Sequence, residues 1–196
     1  MTKSVGVAET AALAALGVTD LGENRPDALL AKRTALADLG LRPSWHMIGH
    51  LQTNKLRRAL PHLDVLHSLD RTSLLEALAA ELARAPRPPL PVFIEVNVSG
   101  EASKGGFHPD ALRDALERAR AIPGLSVTGL MTMAPLSDRA EDARPVFRRL
   151  RELRDEVSNR GYLDELGLSM GMSQDFEIAV EEGATHVRVG TILYSG

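Results

Sequence analysis

Ser173 ends the run Leu166-Gly-Leu-Ser-Met-Gly-Met-Ser173, which reads as a strand, a glycine turn and a helix over Ser173–Glu182. At a helix N-cap a hydroxyl and the next N–H groups can hold an anion, helped by the helix dipole. One strand later, Val187-Arg188-Val189-Gly190-Thr191 offers a second set of donors. Gly190 lets a ligand approach the backbone, and Thr191 adds a hydroxyl and an N–H. Singly, Ser173 reads as a helix cap and Gly190 as a tight corner. Together, at the ends of the last two strands, they read as a phosphate cradle. Arg188 lies between two valines that suit the outer face of a strand, so it points inward, where an unpaired charge is costly. A phosphate or ring ligand would give that charge a purpose. The competing reading is an outward arginine paired with a carboxylate.

Further polar turns follow other apolar runs. Trp45-His46-Met-Ile-Gly49-His50-Leu-Gln52-Thr-Asn54-Lys55 reads equally as the wall of a site and as a capped helix start. His46 and His50 straddle a glycine turn, so their spacing is a weak signal for metal. Asn97-Val-Ser99 with Ser103-Lys104-Gly105, and Leu21-Gly22-Glu23-Asn24, leave strands in the same manner. The chain has 19 Arg but four Lys: Lys3, Lys32, Lys55 and Lys104. Arginine stays charged, whereas lysine can lose its proton and form an imine. Residue types alone leave Lys3 a terminal residue on a short strand stub, and Lys104 part of a loop.

The elements that must position these groups alternate. Candidate strands cover Gly17–Gly22, Trp45–Gly49, Val65–Leu69, Val92–Val98, Val127–Met133, Leu166–Met170 and Thr185–Thr191. Helices are expected at Val7–Leu16, Pro26–Leu39, Thr53–Leu60, Ser73–Ala85, Pro109–Ala121, Ala140–Arg160 and Ser173–Glu182. Thr72 or Ser73 is a candidate cap and Gly161 a candidate stop. Strands apolar on both faces belong in a parallel sheet covered on both sides. Polar residues after successive strand ends favour a (β/α)8 TIM-like barrel over a doubly wound sheet, because in a barrel those ends face one site. An eighth strand then has to come from the stub Met1–Val5. One domain spanning 1–196 is expected.

With 44% hydrophobic residues, 25% charged residues and a formal charge of −3, the chain has no basic signature of nucleic-acid or membrane binding. It has no cysteine, which removes disulfides and thiolate chemistry. A cytoplasmic location is expected.

Together, Thr2-Lys3-Ser4, Leu21-Gly22-Glu23-Asn24, the run from Trp45 to Lys55, Val96-Asn97-Val-Ser99 with Ser103-Lys104-Gly105, Gly129-Leu130-Met131, Leu168 to Glu177 and Val187 to Thr191 resemble the pyridoxal phosphate homeostasis protein family. The resemblance implies an alanine racemase N-terminal-type barrel that binds pyridoxal 5'-phosphate (PLP), with a truncated first strand and no leading helix, since only Met1 and Thr2 precede the lysine. It implies that Lys3 holds PLP as an aldimine between apolar walls and Arg188. Ser173, Gly190 and Thr191 would take the phosphate. Arg188 would face the pyridine nitrogen, Asn24 and Met170 would line the ring pocket, and His46 would lie near it. The implied role is a carrier in vitamin B6 homeostasis, without substantial catalysis. PLP and apo PLP enzymes would be its partners, and it would act as a monomer. The alternative is an amino-acid racemase, which needs a second acid/base opposite the lysine. Tyr162 and Tyr194 are the two tyrosines, and neither is an obvious choice.

Overall fold

The computed structural model of the chain describes residues 1–101, 104–159 and 166–194. Helices and strands alternate as α1 (Val7–Ala15), β1 (Asp20–Glu23), α2 (Pro26–Asp38), β2 (Ser44–Met47), α3 (Thr53–Ala59), β3 (Val65–Leu69) and α4 (Thr72–Arg84). They continue as β4 (Leu90–Glu95), α5 (Leu112–Arg120), β5 (Leu125–Met131), α6 (Arg144–Asn159), β6 (Gly167–Met172), α7 (Phe176–Glu181) and β7 (His186–Arg188). All seven strands are parallel and pair in chain order. This is a nearly closed barrel, as expected. Ser103, Gly161 and Tyr162, named above as a motif residue, a helix stop and a tyrosine, lie outside the described residues.

Each layer follows from local pattern. In α4, Leu74, Leu75, Leu78 and Leu82 are buried, the spacing of one helix face. In β4, Val92, Phe93, Ile94 and Glu95 are all buried, so the strand is covered on both sides. Phe93 fills the barrel interior, where it stacks on His67 with ring centroids 4.4 Å apart. Gly129 on β5 makes room for it: a Cβ there would lie 2.6 Å from Phe93 Cε1.

Two expectations are corrected. Neither Thr72 nor Ser73 caps α4. The helix begins at Thr72 and Arg71 occupies the N-cap position without a side-chain cap. Arg71 turns instead to Asp70 and to Leu51 O. The stub Met1–Val5 does not form an eighth strand. Thr2 N–H donates to Gly22 O at 2.9 Å, and the Met1 amine donates to Val189 O at 2.6 Å. The chain then turns, with Val5 N–H donating back to Thr2 O. Two residues supply too few ladder bonds for a strand, but they span the seam between β1 and β7.

Candidate functional site

The C-terminal strand ends and the Met1–Lys3 segment meet at one mouth of the barrel. A buried cluster fixes that segment. Lys32 Nζ on α2 donates to Glu23 Oε1 and to Thr2 O, each at 2.6 Å, and Thr2 Oγ1 donates to the same Glu23 oxygen at 2.6 Å. Glu23 and Thr2 are fully buried and Lys32 nearly so. Such a pair is costly to desolvate, and its attraction holds only with near-ideal geometry. Here it pins the backbone just before Lys3. Lys3 itself is exposed in the turn. The expected apolar walls around it are therefore absent from the structure, because the chain bends away from the barrel directly after Thr2.

Beside this segment, two of the residues expected to bind an anion meet, though not as predicted. Ser173 does not cap a helix. The turn at 173–175 delays α7, whose N-cap position falls on Asp175. Ser173 Oγ instead accepts the Gly190 N–H at 3.0 Å, which ties the end of β6 to the end of β7. Gly190 is buried, and a Cβ on it would lie 3.1 Å from Met1 Cβ. Thr191 follows, exposed, in a short 3-10 turn. Asn24 is exposed just beyond β1, and Gly49 packs on its backbone.

Arg188 points into the barrel, as its flanking valines implied, and is 7% exposed. Its Nη1 donates to Ser169 Oγ at 2.9 Å and its Nη2 to Thr132 O at 3.0 Å. Both partners are neutral. Burial lowers its pKa to about 10, against the pull of Glu95 and Asp175, so it stays cationic at neutral pH. Glu95, at the end of β4, is raised to about 7, first by burial and then by Asp70, with Arg188 opposing.

His46 lies deeper. Its Nδ1 is 2.9 Å from His67 Nε2, and His67 Nδ1 is 2.8 Å from Ser169 Oγ. His46 therefore reaches Arg188 through two intermediaries. Met170 is fully buried in the apolar cluster. It follows inward-facing Ser169, so strand alternation turns it toward the helices and away from the ring pocket expected for it. Lys55 pairs with exposed Asp27 at 2.8 Å, and Lys104 Nζ lies 3.5 Å from Glu101. His46 and His50 each meet a carboxylate, Asp20 at the start of β1 and Asp70 just after β3, at opposite ends of the parallel strands. Among the described residues, no group of three could hold a metal ion.

Sequence reasoning missed Glu23 with Lys32 as a structural pin, His67, and Glu95. The signal for the last two was present: a histidine and a glutamate inside otherwise apolar strands, at positions that a barrel turns inward.

A nearly closed barrel of seven parallel strands with polar residues at their C-terminal ends defines a class, and comparison identifies it. Residues 1–196 match the family described as alanine racemase, N-terminal domain. The fold is also that of alanine racemase from Clostridium difficile, with a TM-score of 0.78 at 16% identity over 97% of this chain and 51% of that one. The pyridoxal phosphate homeostasis protein of Aquifex aeolicus is 46% identical over 178 residues, 91% of this chain and 77% of its own. PipY of Synechococcus elongatus with PLP bound superposes with a TM-score of 0.88 at 33% identity, covering 99% of this chain and 90% of PipY. The chain belongs to the pyridoxal phosphate homeostasis protein family, built on the alanine racemase N-terminal barrel. Among the described residues, no helix is long and apolar enough to cross a membrane.

Proposed function

We propose that this chain binds PLP at the C-terminal mouth of its barrel, with Lys3 as covalent anchor, and serves as a cytoplasmic, monomeric carrier in PLP homeostasis rather than as a catalyst. One observation carries the reading. The Met1 amine is bonded to Val189 O, so Lys3 emerges beside the strand end that bears Arg188 and Gly190. The donor set fits the cofactor: a hydroxyl and N–H groups for a phosphate dianion, a buried guanidinium for a pyridine nitrogen, and a primary amine for an aldehyde.

When bound, PLP supplies an aldehyde that a lysine amine captures reversibly. Ser173, whose oxygen accepts the Gly190 N–H and whose hydroxyl hydrogen is left to donate, holds the phosphate end with Thr191, and Gly190 allows close backbone approach. Arg188 sets a fixed positive charge at the ring nitrogen, which disfavours a second charge there and weakens the ring as an electron sink. Thr2, Glu23 and Lys32 hold the backbone from which Lys3 reaches in. The exposure of Lys3 in its turn suits a carrier that must release its load to apo PLP enzymes. A racemase would need a second base, and Tyr194 is the tyrosine among the described residues. Burial, then Glu23 and Glu9, raise its pKa above the ordinary phenol value.

The test is borohydride reduction of the PLP-loaded protein followed by mass spectrometry. A pyridoxyl group on Lys3 is expected. Modification solely at Lys32, Lys55 or Lys104 overturns the anchor assignment. Incubation of the loaded protein with L-alanine tests the carrier role. Loss of optical activity well above that of Lys3→Ala refutes it.

A further inference from the structure

An unbroken line of hydrogen bonds crosses the barrel interior from the far end of β1 to Arg188. Asp20 Oδ1 lies 3.1 Å from His46 Nε2. His46 Nδ1 lies 2.9 Å from His67 Nε2, and His67 Nδ1 lies 2.8 Å from Ser169 Oγ. Ser169 Oγ in turn accepts from Arg188 Nη1 at 2.9 Å. His67, Ser169 and Arg188 are buried, while the Asp20 side chain is 62% exposed.

The two ends dictate the direction of every proton between them. A guanidinium can only donate, and an ionised carboxylate can only accept. Asp20 is held ionised by the Thr19 hydroxyl, which donates to its other oxygen at 2.6 Å. His46 must then carry its proton on Nε2 to reach Asp20. That leaves His46 Nδ1 as acceptor, so His67 must also carry its proton on Nε2. His67 Nδ1 is then an acceptor, and the Ser169 hydroxyl donates to it. The serine oxygen is thereby turned toward Arg188 with a lone pair free. The opposite polarity would set the His46 Nε2 lone pair against the Asp20 carboxylate, or require a second buried cation beside Arg188. Burial lowers the pKa of both imidazoles, and in His67 the neighbours His46, Arg188 and His186 add to the effect. For His46, Asp20 and Asp64 oppose it.

We infer that His67, acting through Ser169, is a positioning residue for Arg188, and that Asp20 on the opposite end of the barrel sets its tautomer. The guanidinium is thus aimed by a relay whose outer end is open to solvent. The link to the cofactor ring rests on the function proposed above; the relay itself does not.

The experiment begins with the ligand-free protein. Nitrogen-15 NMR at neutral pH is expected to show His46 and His67 both protonated on Nε2, with resolved Arg188 Nη signals. Either histidine found as the Nδ1–H form overturns the relay. Asp20→Ala leaves the core untouched and is expected to mix the two tautomers at His67. An unchanged His67 in that variant also overturns it. His67→Leu should collapse the Arg188 Nη signals into one averaged line. His67→Asn places an amide oxygen where Nδ1 stood and should restore them, which loss of packing alone would not explain. In the PLP-loaded state, His67→Leu is expected to bind PLP about tenfold more weakly, with recovery in His67→Asn. Wild-type PLP affinity in His67→Leu, with the tautomers as expected, refutes the positioning role. Failure of the wild-type protein to bind PLP would refute the cofactor reading and leave the NMR outcome to decide the relay.

Discussion

Glu95→Gln is expected to stabilise this protein at alkaline pH. The Glu95 carboxyl is 5% exposed inside the barrel, and its pKa is raised from 4.5 to about 7. Burial is the main cause and the Asp70 carboxylate adds to it, while Arg188 opposes both. In the pH window between those two values the folded state keeps a proton that the unfolded chain has lost. The folded state therefore binds more protons, and stability falls as pH rises through the window. At 1.36 kcal/mol per unit, the full cost of ionising Glu95 in place is about 3 kcal/mol, and most of it falls between pH 5 and pH 8. Glutamine has the same shape and never ionises, so it escapes this cost. Denaturant melts of both proteins at pH 5 and pH 8 isolate the effect, because titrating groups that do not interact with Glu95 cancel in the difference. The variant's advantage should grow by roughly 2–3 kcal/mol between the two pH values. At roughly 2–4 °C per kcal/mol for a chain of this size, the thermal midpoint should move by roughly 4–12 °C. A stability difference that stays flat with pH would refute the argument, since it would mean Glu95 ionises freely where it sits.

Lys32→Met should cost about 3–5 kcal/mol in denaturant melts, because it strands the fully buried Glu23 charge. Adding Glu23→Gln should recover much of that loss; no recovery would show that the pair is not coupled. Gly129→Ala should destabilise by roughly 1–3 kcal/mol or more, since its Cβ would press on the Gly167 carbonyl oxygen of β6 and on the Phe93 ring in the barrel interior. A Phe93→Leu background should relieve the ring clash alone and leave the clash with the Gly167 carbonyl, so only part of the loss is recovered in thermal unfolding. The depressed pKa values of His46, His67 and His186 give a term of the opposite sign to that of Glu95. The folded state resists charging them, so stability present above the unfolded value of 6.5 is lost as pH falls below it. His186→Gln, at an exposed position on β7, should flatten that acid limb, and an unchanged slope in urea melts counts against it.

The barrel was legible because periodicity is local. Val65–Leu69 was located to the residue, and the other strands to within a few residues, since each apolar run must be covered on both faces. The inward turn of Arg188 was legible for the same reason: its two valine neighbours can only face the helices. Met170 was not, because a residue apolar enough for either face gives no sign of which one the register selects. Ser173 as a cap failed by a turn of three residues, which Gly171 at φ 90° and the bond from Asp175 N–H to Met172 O introduce.

What the amino-acid order determined by itself was the alternation of elements, the lack of cysteine, and the polar residues that follow the strand ends. What only the tertiary structure decided was which of them meet. Lys3 is set beside the end of β7 by a bond between residues 188 positions apart, from the Met1 amine to Val189 O. His67 becomes a neighbour of Arg188 only because Ser169, 102 positions further along the chain, stands between them. Contacts of that span depend on closure of the whole sheet, and no window along the chain contains both partners.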